Sequence, residues 1–501
     1  MSNCTVNQVS GKGEASGGRE PPDFPATVEL ATTPKAAAPA EASDCRVAVD
    51  ASPLPAGQRW RVWQSLLRLR LKEWVTSDSR LCRLAVGLLS YLAAQALLLG
   101  GKTAAGYRLL FRLHRSDLFA PACRAAERAL TGVGPDRPTK ADAFLKEHVA
   151  SLQPVPGTAR FFEEPQRILK GAAIVIKSPN GREKGLIAIN YNHLFPIFAR
   201  HFDVPRIAER YHLLLEASWS GYCDPDILCF TQYGFPVFVE AYEPRDAAFL
   251  RTIGANLIPV ATSTNWWVDH RRFRPLPGAS KDFDLVMVAG WGDYKRHYRF
   301  FEALSRLRRQ GKRPSVLLLG YSVGWKKETV LDQARYFGIA DQLEVNEGVP
   351  YEQVNQMVNR AKVHVLWSRK EGVNRAIIEC MFAGLPSIVR EGFNYGYRYP
   401  YVNEQTGCFA SEETLPRAIE EMVERSGQMQ PREWVLENMS CQRSTHIVSE
   451  TIRQWSAAHG EPWTEPPVVK TTHLHNMAYW NPDDGERFAD DYLFLGSALQ
   501  R

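Results

Sequence analysis

Nine cysteines are scattered through 501 residues, and no two of them stand as a C-x-x-C pair. A zinc knuckle or a disulfide framework needs clustered cysteine, so neither is expected. Cys4, Cys45, Cys82, Cys123, Cys223, Cys229, Cys380, Cys408 and Cys441 instead fit a reducing cytosol. A surplus of one charge sign is also missing. Sixty-one Lys and Arg against 55 Asp and Glu leave a net charge of +6, too little for a chain whose task is to grip nucleic acid. The start of the chain lacks the basic residues and apolar run of a secretory signal. With 45% hydrophobic and 23% charged residues, the whole is neither collagen-like nor wholly disordered.

What is present divides the chain into five parts. Residues 1–57 are dominated by Ala, Pro, Ser, Gly, Glu and Thr, with Phe24 as their only aromatic, and are expected to be a disordered tail. Residues 58–139 read as helical. They open with RWRVWQSLLRLRLKEW, where Trp and Leu alternate with Arg in the manner of an interfacial helix. They continue into LAVGLLSYLAAQALLLGG, 18 residues without a charge between Arg83 and Lys102, which just reaches a spanning length. Three readings stand: a hairpin packed on the body, peripheral contact with the inner face of a membrane, and a span.

Residues 140–280 alternate short apolar runs with polar helical stretches. ILKGAAIVIK (168–177), GLIAIN (185–190), YHLLLEAS (211–218), DILCFT (226–231) and NLIPVAT (256–262) read as buried strands. Residues 281–440 alternate cleanly. DLVMVAGW, PSVLLLGY, QLEVNEGV, VHVLWS and PSIVREG read as strands, with helices between them. Strict alternation implies a parallel sheet covered on both faces, whose ligands bind beyond the strand carboxyl ends. Residues 441–501 read as a closing helix and a tail too aromatic for a free linker, expected to pack back on the body.

Those strand-end loops carry the chemistry. In SRKEGVNRAIIECMFAGLPSIV, residues 368–389, Glu371 follows a strand and Glu379 lies eight positions on, inside a helix. A carboxylate at a strand end accepts hydrogen bonds from sugar hydroxyls, and a second within the helix can hold a ribose diol. The helix amino terminus between them offers free N–H groups and a positive dipole end to a diphosphate. Asn374 is a suitable cap for that helix. Gly372 permits close backbone approach.

EGVNRAIIECMFAGLPSIV resembles the E-x7-E signature of glycosyltransferase family 4, the retaining, nucleotide-sugar-dependent enzymes of the GT-B fold. MVAGWGDYKRH, LLLGY, NEGVPYEQVNQMVNRAKVHVLWS, NEQTGCFA and ENMSCQRSTHIVSETI extend the resemblance from about Asp284 to Ile452. It implies an α/β GT-B architecture, two Rossmann-like domains facing a cleft, here with an added helical amino-terminal region. It implies a nucleotide diphosphate sugar as donor substrate, no other cofactor, no metal and no nucleic acid. The acceptor, a glycan or a lipid-linked glycan, is not named by the sequence. By the same resemblance Glu371 contacts the donor sugar, Glu379 the ribose, Lys295 the departing diphosphate, and Gly290 and Gly320 line the nucleotide.

Two departures stand out. Gly290 is followed by Trp291 where the family commonly has arginine, and the usual EGFGLP reads EGVNRA, which introduces Arg375. Arg375 or Arg296 is expected to supply the missing positive charge. Asp224-Pro-Asp226 spells the metal-holding DxD of a different glycosyltransferase fold but reads here as turn chemistry. Glu216, Asn190, Asn192 and His193 end or follow strands and read as structural. Two alternatives stay open: another GT-B reaction, such as nucleotide-sugar epimerisation, and a scaffold that binds sugar or partner without turnover.

Overall fold

The computed structural model describes residues 47–48, 50–135, 139–155, 157–392, 399–473 and 476–500. The reading of a disordered tail falls mostly on residues outside these. The described chain begins with a two-residue strand, β1 (Val47–Ala48), and three helices, α1 (Ala56–Glu73), α2 (Arg80–Leu99) and α3 (Thr103–Ser116). Ser79 starts α2 by accepting a hydrogen bond from the Cys82 amide. Two more helices, Ala120–Leu130 and Lys140–Ala150, lead into the first sheet.

That sheet contains β2 (Ala173–Lys177), β3 (Gly185–Asn190), β4 (Tyr211–Glu216), β5 (Val237–Glu240) and β6 (Leu257–Val260), in that spatial order. All neighbours are parallel except β2, which runs against β3. Strand residues alternate between faces. Val175, Ile187, Leu213, Leu215 and Val239 join a core formed with the helices that precede and link the strands. Ile174, Leu186, Ala188, Leu214 and Phe238 face the closing helix Cys441–Ala458 through Val448 and Ile452. A sheet buried on both faces explains why its strands are apolar at most positions, with Lys177, Asn190, Glu216 and Glu240 at strand ends.

Two expectations are corrected here. DILCFT is not a strand: Asp224 caps a helix over Pro225–Leu228 that tightens into a 3-10 turn. Residues 168–172 lie outside β2, whereas β5 was not foreseen.

The second sheet contains β7 (Phe283–Val288), β8 (Val316–Gly320), β9 (Leu343–Glu347), β10 (Ala361–Leu366), β11 (Ser387–Arg390) and β12 (Gly407–Ala410). Its spatial order is β1-β9-β8-β7-β10-β11-β12, parallel except for β1. The chain first builds outward from β7 to β9, then returns to place β10 on the other side of β7. This reversal opens a crevice between the loops that follow β7 and β10, the place where such sheets bind ligands. A small antiparallel pair, β13 (Lys470–Thr472) and β14 (Met477–Tyr479), closes the list of strands among the described residues.

Candidate active site at the domain cleft

The loops after β7 and β10 bring Lys295 and Glu371 together. Lys295 ends a 3-10 turn, Asp293–Lys295, and its Nζ lies 2.5 Å from Glu371 Oε1. Both side chains are buried, and Ser368 donates its hydroxyl to the same carboxylate oxygen. Burial opposes a charged lysine, but the adjacent Glu371 outweighs it and holds the ammonium above its ordinary range. Two more basic side chains sit close by, unforeseen from sequence. Arg369 and Lys370 are both buried. Burial, with Arg369 and Arg115 nearby, brings the Lys370 ammonium down to about 6. The adjacent positions 369 and 370 precede Glu371 directly, and that doublet was the signal available.

Asn374 caps the helix Arg375–Phe382 as expected, its Oδ1 accepting from the Ile377 amide at 3.0 Å. Glu379, in the second turn, accepts from the Tyr351 hydroxyl at 2.9 Å. Arg375 does not supply a free charge at the helix start. Its guanidinium donates to the carbonyls of Thr472 and His473 at 2.7 and 2.6 Å and to Tyr351 Oη at 2.9 Å, and lies 3.4 Å from Glu379. It fastens β13 to the helix instead of facing the crevice. Arg296 is corrected in the same way. It reaches Glu73 of α1 at 2.9 Å through Nε and also pairs with Glu412 at 2.6 Å. Neither candidate replaces the arginine that Trp291 displaces.

Trp291 has a structural role of its own. It is fully buried and donates its indole N–H to Glu347 at 2.7 Å. Its ring lies against Gly320, where a Cβ would meet the Trp291 ring at 2.5 Å. Gly320, expected beneath the nucleotide, is thus required by the indole. Gly290, one residue earlier, packs on Val323, which a Cβ would approach to 2.7 Å.

The first sheet meets the second at Gly372. The Val373 amide donates to the Ser218 carbonyl at 3.0 Å, and a Cβ on Gly372 would lie 2.3 Å from that carbonyl oxygen. Asn192 fixes the loop through the Ser218 amide at 2.8 Å, and Asp246 accepts from the amides of Gly221 and Tyr222, both at 3.0 Å. Close approach at Gly372 was expected for a ligand; in this structure the protein's own loop takes it. Gly372→Ala is expected to force this contact apart and to destabilise the fold by about 1–3 kcal/mol, read from its melting temperature.

The remaining residues are placed as scaffold. Glu216 is fully buried against Lys470 of β13, 2.6 Å away. Burial and Glu216 together raise Glu240 to about 8. The tail therefore plugs the strand ends of the first sheet. Asp224 pairs with Arg115 at 3.3 Å and Asp226 with His148 at 2.8 Å, so both DxD carboxylates are engaged. Among the described residues no group of three His, Cys, Asp or Glu is arranged to hold a metal.

No curated protein matches this sequence. Residues 270–433 match the family described as "Glycosyl transferases group 1". Among solved structures, Anabaena HepE in complex with UDP is similar at 13% identity, over 54% of this chain and 78% of that one, with a TM-score of 0.42. Sucrose-phosphate synthase from Thermosynechococcus elongatus is similar at 15% identity over 66% and 83%, TM-score 0.42. The lipopolysaccharide outer core galactosyltransferase WaaB is similar at 14% identity over 63% and 81%, TM-score 0.39. Residues 270–433, which hold the second sheet through β12 and the β7/β10 crevice, are thus the part of the chain that is similar to the group 1 glycosyl transferases.

Proposed function

We propose that the protein transfers a glycosyl group from a nucleoside diphosphate sugar to an acceptor, with retention of configuration and without a metal ion. The observation that carries this reading is the buried Lys295–Glu371 pair at the β7/β10 crevice. In the resting site each charge neutralises the other. Donor binding exchanges that contact: the diphosphate takes Lys295, and sugar hydroxyls take Glu371. As the bond from the anomeric carbon to the diphosphate breaks, negative charge grows on the departing oxygen, and a preorganised ammonium in a dry crevice stabilises it. Arg369 supplies the further positive charge that Trp291 cannot, and Lys370, brought down to about 6, takes up a proton when the diphosphate arrives beside it. Glu379, held by Tyr351 at 2.9 Å, accepts from the ribose hydroxyls in this reading. In this reading the donor enters beside Gly372 by displacing the Ser218–Val373 contact.

The metal-free part of the reading has a direct test. UDP or GDP at about 100 times its Kd should stabilise the fold by about 2.7 kcal/mol, seen as a higher melting temperature, with or without EDTA. Stabilisation that appears only with manganese would contradict it. The anomeric configuration of the first-formed product, followed by NMR, tests retention.

A further inference from the structure

We propose that the outward faces of α1 and α2 form a docking surface for an anionic lipid bilayer. At about 100° per residue, Trp60, Trp63, Leu67, Leu71 and Trp74 fall on one narrow stripe, and all five are exposed. On α2 the stripe is Leu81, Leu84, Leu88, Leu92 and Leu99, with Leu81 80% and Leu99 89% exposed. The opposite sides of both helices are fastened to the protein. Glu73 is buried with Arg296, and Gly87 lies so close to Phe119 that a Cβ would meet its side chain at 2.8 Å. Ala94 is buried beside α3, where Leu98 covers Gly106.

Charge selects the occupant. α1 carries Arg59, Arg61, Arg68, Arg70 and Lys72, and its one acid, Glu73, is already neutralised in the interior. α2 contains no acid. Arg61 and Arg68 are exposed along one margin of the tryptophan stripe, where they can reach lipid phosphates while the indoles enter the interfacial region. A second copy of the chain would set these cations against their own kind. α2 is 20 residues long and holds an 18-residue stretch with a mean hydropathy of 1.7, enough by length to cross a bilayer. It is nevertheless held along one face, with Arg83 buried there, so it lies in the plane of the interface.

The surface is coupled to the crevice. Glu73 and Lys72, at the end of α1, bind Arg296 and Asp293, the neighbours of Lys295. Docking therefore sets the crevice beside the bilayer. It follows, resting on the glycosyl-transfer reading, that the acceptor is held by a lipid.

Flotation of the full chain with vesicles tests the surface independently of any activity. The protein should float with vesicles of equal parts phosphatidylcholine and phosphatidylglycerol, and weakly or not at all with phosphatidylcholine alone. Arg61→Ser with Arg68→Ser should lower the affinity about fivefold per cation removed. Leu81→Ser with Leu84→Ser and Leu88→Ser should lower it about tenfold or more, with an unchanged melting temperature because these side chains are exposed. Brominated lipid should quench fluorescence in the wild type and not after Trp60→Phe, Trp63→Phe and Trp74→Phe together. Absence of flotation, equal flotation of wild type and both variants, or a stable dimer dissolved by the leucine substitutions would each overturn the proposal. Neither the leucine nor the arginine variant touches the crevice, so release of nucleotide from a soluble donor should stay at the wild-type rate. Failure of glycosyl transfer itself would leave the vesicle result intact.

Discussion

Lys295→Ala is expected to lower turnover by about 10²–10³-fold while weakening donor binding far less, because the charge it meets grows toward the transition state. The geometry makes this the most sensitive position in the crevice. Lys295 Nζ and Glu371 Oε1 are 2.5 Å apart and buried, so there is no mobile solvent to take the place of the ammonium. The same burial complicates the single substitution. Removing one partner leaves Glu371 unpaired, at a cost of about 3–5 kcal/mol for a buried pair. Lys295→Met combined with Glu371→Gln removes both charges and should recover most of the stability without recovering turnover. Glu371→Gln alone keeps the shape and should also be slow. Kinetics together with melting curves on these three variants separate a chemical role from a structural one. Near-wild-type turnover in either single variant would remove the residue from the mechanism.

Arg296→Ala should be among the most destabilising loop substitutions in the chain, by about 3–5 kcal/mol, because it removes a buried guanidinium and strands Glu73 in the interior. Sequence alone offered Arg296 as one of two sources for the missing positive charge at the diphosphate. The structure gives it a different task, since Arg296 joins the loop after β7 to α1 through Glu73 and to the end of the second sheet through Glu412. Arg299, 3.4 Å from Glu73, moderates the loss. Arg296 also occupies left-handed backbone at φ 57°, which the ion pair helps to hold. A pH dependence follows. Burial would raise the Glu73 carboxyl, but Arg296 and Arg299 bring it to about 2, below its ordinary 4.5. A depressed carboxylate stabilises the fold above its unfolded value, so this contribution is complete above about pH 4.5 and lost as pH falls toward 2. Urea melts at pH 7 and near pH 3 should therefore differ less in Arg296→Ala than in the wild type. An unchanged difference would contradict the assignment.

The second sheet was legible because its strands are buried on both faces and read as continuous apolar runs separated by helical periodicity. The first sheet was harder. DILCFT is an apolar run too short for composition to separate a strand from a buried helix, although Asp224 followed by Pro225 is a helix-start signal that was available. At the site, Glu371 at a strand end and the Asn374 cap were legible from local spacing, whereas Lys295 stood out only through the family resemblance. Arg375 was not, because its partners, the carbonyls of Thr472 and His473, lie about a hundred residues later in the chain and were invisible as acceptors. Trp291 was recognised as a departure, but its contact with Gly320 depends on the parallel pairing of β7 with β8. The loop over Gly372 belongs to the other sheet altogether, and no local pattern encodes that meeting.

The most direct test of the central claim is acceptor-free hydrolysis of a panel of UDP- and GDP-sugars, in EDTA, followed by release of the nucleoside diphosphate. The account predicts slow release from at least one donor by the wild type, falling about 10²-fold or more in Lys295→Ala. No release from any donor, or equal release by wild type and Lys295→Ala, would contradict it.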